Sequence, residues 1–145
     1  METYQEMKIR HQKEVNAFPI YFAFSNEQLG GMFKELGLNP QKDLDKIASI
    51  PGTGGFILKK DIGAYQEMFK KQHEELQNAI REDKDGTGFI YQMFRYELAN
   101  HEFGYTGDAD DALAALGYTE KQVEETPTLQ RGFEKAKRNI LNNAI

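Results

Sequence analysis

The chain has 145 residues and a mass of 16.6 kDa, enough for one domain with a single core that buries roughly two-thirds of its unfolded surface. It contains no cysteine, which excludes disulfides, thiolate metal sites and a cysteine nucleophile and suits a reducing cytoplasm. A net charge of −5 and a pI near 5.3 disfavour direct nucleic-acid binding, which needs a basic surface, and no apolar run reaches the ~20 residues of a membrane span.

The N-terminal stretch 3–17 is polar, with apolar positions at Tyr4, Met7 and Val15, and reads as a weakly docked helix limited by Pro19. "PIYFAFS" follows, short and aromatic, and reads as a buried strand. Ser25 then opens Ser-Asn-Glu-Gln, a capping box that predicts a helix over 26–36 ended by Gly37. "NPQKDLDKIAS" predicts another short helix, with Asn39 as cap and Pro40 at its first position.

The glycines of "SIPGTGGFILKKD" lack the Walker spacing, so they predict a hairpin of "IASI" and "GFILKK" around Pro51–Gly54. Strand 19–24 would complete a small antiparallel sheet. Asp61 caps the longest predicted helix, 62–83, whose apolar stripe runs Ile62, Tyr65, Phe69, Leu76 and Ile80, with His73 in its gap. A second helix over 89–103 ends at Gly104, two short helices flank Gly117, and a last helix starting at Thr128 buries Leu129 and Phe133, with Ile140 and Leu141 further along the same stripe. The fold class is therefore α+β, mainly α: a single domain over 1–145 with a long αα-hairpin and a small antiparallel sheet.

Between the two long helices, "REDKDGTGFIYQMF" resembles the start of an EF-hand calcium loop. Asp83, Asp85 and Thr87 occupy the first three ligand positions and Gly88 the turn, but the bidentate glutamate of the twelfth position is replaced by Phe94. A helix corner, with an acid near the next helix's N-terminus, explains the pattern more simply than calcium.

If the two helices run antiparallel, His73 and Glu97 lie at one height and His101 follows Glu97 by one turn. His73, Glu97 and His101 could then form a metal or acid–base site; the simpler alternative is that one histidine forms a hydrogen-bonded pair with Glu97 and the other lies at the surface. The segment 97–126 carries eight acids against Lys121, among them Glu102, Asp108, Asp110, Asp111, Glu120, Glu124 and Glu125, whereas the tail "RGFEKAKRNILNN" is basic. "ALAALGYTEKQVEE" has the cadence of a helix-turn-helix, but the glutamates of its second helix would repel phosphates.

"FPIYFAFSNEQL", "GGFILKKD" and "YELANHEFGYTGDADDALAALGYT" together resemble small uncharacterised proteins carried by bacteriophages and mobile elements of Gram-positive bacteria. The resemblance implies an accessory factor that binds and inhibits a host or defence component, as anti-CRISPR proteins do, and carries no residue roles. The expectation is a cytoplasmic, non-enzymatic protein-binding factor that uses its acidic segment on a basic nucleic-acid-handling protein. The alternative is a metal-dependent enzyme or sensor at His73, Glu97 and His101.

Overall fold

The computed structural model describes residues 1–143. Eight α-helices and a three-stranded antiparallel sheet make up the described chain, which is mainly α. It divides into two compact units: residues 1–11 with 73–143, and the contiguous stretch 12–72. Helix α1 (Tyr4–Ala17) and helix α3 (Ile62–Glu82) each run through a point of division. No helix among the described residues is long and apolar enough to cross a membrane.

The first unit is organised by helix α4 (Phe89–Asn100), in which Phe89, Ile90, Met93, Phe94 and Leu98 recur at steps of one, three and four and are all buried. Such a wide apolar stripe needs cover on more than one side. Its most extensive partner is helix α8 (Pro127–Asn142), which offers Leu129, Phe133, Ala136 and Ile140 at alternating steps of four and three. Phe94 and Phe133 meet edge to face at 5.2 Å. Each such side chain contributes about 1.5–3 kcal/mol by leaving water.

Tyr4 and Met7 of α1 join this core, as do Leu76, Ala79 and Ile80 at the C-terminal end of α3. Three short helices complete it: α5 (Phe103–Thr106), α6 (Asp110–Leu116) and α7 (Glu120–Glu125). Gly117 adopts the left-handed conformation between α6 and α7, and Thr119 and Gln122 close a full capping box on α7, as the sequence around Gly117 suggests.

In the second unit, β2 (Ile47–Ile50) and β3 (Gly55–Leu58) form the expected hairpin, with Ile47 opposite Leu58 and Ile50 opposite Gly55. The Thr53 hydroxyl donates to the Ile50 carbonyl and accepts from Gly55 N–H, which ties the turn. Strand β1 (Tyr21–Phe22) adds to the other side of β3. Helix α2 (Asn26–Glu35) starts where Ser25 accepts from Gln28 N–H, and its Met32 and Phe33 make a small core with Ile47.

Several elements depart from the sequence expectation. The strand expected over 19–24 shrinks to two residues, and Phe22 and Phe24, 58% and 74% exposed, stack at 6.4 Å on the outside instead of being buried. No α-helix follows Asn39: its side chain accepts from Gln41 and Lys42 N–H and closes a turn, and only a 3-10 turn at Leu44–Lys46 precedes β2. That local bond competes with helix propagation. Helix α4 stops at Asn100, short of Gly104, because Glu102 takes a left-handed conformation (φ 60°). Leu141 is exposed, whereas Ile140 is buried.

Candidate functional site

The corner between α3 and α4 is built by Asp83. Its carboxylate accepts from the N–H groups of Gly86, Gly88 and Ile90, which caps α4 from below. Asp85 accepts from the Thr87 hydroxyl and N–H, and these bonds hold its carboxyl below the usual range. The corner sits tightly against α8: a Cβ on Gly86 would meet the Thr128 carbonyl oxygen at 2.0 Å, and one on Gly132 would meet the Gly86 carbonyl oxygen at 2.5 Å. Arg131 donates from Nε to the Asp85 carbonyl at 2.7 Å. The three oxygen-bearing side chains thus serve the turn itself.

Glu97 is fully buried in the first unit. The Tyr4 hydroxyl donates to its Oε1 at 2.8 Å and Lys8 Nζ reaches the same oxygen at 2.6 Å. Burial, and next the bond to Glu97, pushes the Tyr4 phenol well above its ordinary range. His101 lies one turn along, with Nδ1 2.8 Å from the Glu97 carbonyl oxygen and 3.8 Å from Oε2. A carbonyl only accepts, so Nδ1 carries the proton. The ammonium of Lys8 also lies 5.2 Å from the centre of the Tyr96 ring.

Of the three residues singled out between the helices, Glu97 and His101 come together and His73 does not. His73 is exposed, and the buried position in its turn of α3 belongs to Gln72. Among the described residues no cluster of metal-ligating side chains includes His73, Glu97 or His101; His11 and Glu75 belong to such a cluster instead. His11 Nε2 lies 3.6 Å from Glu75 Oε1, and Arg10 Nη2 lies 2.5 Å from Glu75 Oε2. Arg10 also clamps Glu2 through two bonds of 3.0 and 2.9 Å, which hold the Glu2 carboxyl below its usual range.

The sequence reading missed Lys8 and Arg10. Their helical spacing from Tyr4 and Glu2 is a visible signal, since Tyr4 and Lys8 share a face of α1. The partner of that face, 89 residues away from Lys8, leaves no trace in local periodicity.

The acidic residues behave differently from Glu97. Glu102, Asp108, Asp110, Asp111, Glu120, Glu124 and Glu125 are all exposed. Among the described residues only Glu125 of these has a cation within ion-pair distance, Lys121 at 3.9 Å. Asp108, Asp110 and Glu120 line one groove of about 550 Å³, whose apolar floor includes Phe103, Leu113 and Phe133. Lys137, paired with Glu134 at 2.9 Å, closes its far side together with Arg138.

Residues 3–139 match a family of unknown function (DUF7659). The chain belongs to that family. The DUF7659 match runs from the first turn of α1 nearly to the end of α8, so it takes in the Glu97 cluster, the corner and the acidic groove alike. No curated protein and no solved structure matches the chain.

Proposed function

We propose that this DUF7659 member is a non-enzymatic binding protein that engages a basic protein partner through the acidic surface of α5–α7. The observation that carries this reading is the exposure of seven carboxylates over 102–125, six of them with no cation at ion-pair distance among the described residues. Clustered, solvated carboxylates of one sign attract a basic surface and speed encounter with it. The groove below Asp108, Asp110 and Glu120 adds an apolar floor, which suits the aliphatic stem and charged head of an arginine or lysine.

A cytoplasmic nucleic-acid-handling protein is the partner class with this chemistry, because its phosphate-binding face is basic. The resemblance to phage and mobile-element proteins makes an inhibitor of a host or defence component, anti-CRISPR-like in action, the biological form of the same proposal. The chemistry is occupation rather than catalysis.

The test is affinity capture with the wild-type chain and with a variant carrying Asp108→Asn, Asp110→Asn and Asp111→Asn. We expect a basic partner that is released as salt rises, is displaced by heparin, and is lost in the variant. Capture that is indifferent to salt and unchanged in the variant would sink the proposal.

A further inference from the structure

The outer face of α4 carries a second groove, opposite in character to the acidic one. It has a volume of about 560 Å³, within the usual range for small-molecule sites, and is lined by Tyr91, Gln92, Arg95, Tyr96 and Asn100 together with residues near the start of α1. Arg95 is the one ionised side chain among the described residues that line it, and no carboxylate does. In a chain of net charge −5, a groove with only positive charge selects an anion.

Three details narrow the anion. Arg95 donates from Nε to Asn139 Oδ1 at 2.7 Å, which orients the guanidinium and, among the described residues, engages one of its nitrogens. A guanidinium held in this way is suited to planar, two-point recognition of a phosphate. Tyr91 and Tyr96 both line the groove and are partly exposed; Lys135, whose Nζ lies 4.4 Å from the centre of the Tyr91 ring, belongs to the neighbouring groove with Glu134 and Arg138 and leaves Arg95 as the cation of this one. Aromatic rings beside a cation stack on planar bases, and the amides of Gln92 and Asn100 offer donors and acceptors to a base edge or a ribose.

We propose that this groove binds a nucleotide, with the phosphate on Arg95 and the base against the rings of Tyr91 and Tyr96. The inference stands apart from the acidic-surface reading: it concerns another face of the first unit and a ligand of opposite charge to the groove.

The experiment is a titration of the full chain with AMP, adenosine and inorganic phosphate, followed by backbone amide chemical shifts. Saturable shifts confined to residues 3–5 and 91–100 with AMP are expected, with adenosine and phosphate each binding at least tenfold more weakly. Arg95→Gln should weaken AMP at least tenfold. Because that change also breaks the bond to Asn139, Ala99→Glu provides an independent variant: position 99 is exposed on the helix, and a carboxylate there should repel the phosphate without touching the core. No saturable AMP binding, AMP binding indifferent to Ala99→Glu, or equal binding of phosphate alone would each overturn the proposal. So would binding of a single-stranded oligonucleotide but not AMP, since the groove would then read a polymer.

Discussion

Gly132 is a residue whose lack of a side chain decides the packing around it. It lies inside α8, where alanine would ordinarily gain about 1 kcal/mol in helix propensity. Here a Cβ would fall 2.5 Å from the Gly86 carbonyl oxygen and 2.6 Å from Ile90 Cγ2. The first of those atoms is backbone and cannot swing away, so overpacking of about 1–3 kcal/mol outweighs the gain. Gly132→Ala should therefore lower the urea midpoint, by up to about 2 kcal/mol of stability after the propensity gain is subtracted. A stabilised variant would show that the corner 83–88 yields more readily than its backbone contact with α8 implies. Nothing in the local sequence singles out Gly132, because its reason lies 46 residues away.

At the scale of elements, the attachment of α1 to α4 adds one buried carboxylate with two donors to the apolar packing of Tyr4 and Met7. Removing the Tyr4 hydroxyl leaves Glu97 buried with one donor fewer, and Tyr4→Phe should cost about 1–3 kcal/mol at neutral pH, measured by chemical denaturation. Burial of the same phenol, and next its bond to Glu97, has an alkaline signature. The Tyr4 phenol is raised above its unfolded value of 10.0, so its stabilising contribution is complete below pH 10 and is lost as pH rises beyond it. Tyr4→Phe should flatten the fall in stability above pH 10 without abolishing it, since burial raises the Tyr118 phenol too. An identical alkaline profile in wild type and variant would contradict the assignment.

The elements themselves were largely legible. Helices α2, α4, α6, α7 and α8, and the hairpin β2–β3, follow from apolar spacing and from caps at Ser25, Gly37, Gly117 and Thr119. The failures came where a short-range signal had two readings. "PIYFAFS" has strand propensity, yet an edge strand with one covered side leaves Phe22 and Phe24 in water. His73 fits the stripe of α3 by spacing, but Gln72 takes the buried place, so the candidate site kept only Glu97 and His101. That Glu97 would be buried could not be read, because it finds Tyr4 and Lys8 only through the tertiary fold.

Over the whole molecule two populations of carboxylates at or near the surface have different consequences. Glu2, Asp43 and Asp85 are held below their unfolded values, by Arg10, by the Asn39 backbone N–H with Lys46, and by Thr87 respectively. Groups depressed on folding stabilise above their unfolded values, here 3.8 to 4.5, and lose that contribution as pH falls through the folded ones. Stability should thus decline between pH 5 and pH 2, with urea midpoints at pH 6 and pH 3 as the measurement. Equal midpoints would show that these local bonds persist in the unfolded chain. The exposed acids of 102–125 belong to the other population, to which the proposed function gives a role in encounter with a partner.

The division of the chain also sets an order in time. Residues 12–72 are contiguous, so every partner in the second core exists once that stretch has been made. The first unit is assembled from the two flanks, and its central helix α4 waits for α8: Arg95 finds Asn139 only 44 residues later. At roughly 5–20 residues per second, Phe89, Ile90, Met93 and Phe94 emerge some 2–9 seconds before the helix that covers them. During that interval the apolar stripe of α4 is the part of the nascent chain that a chaperone would have most reason to hold.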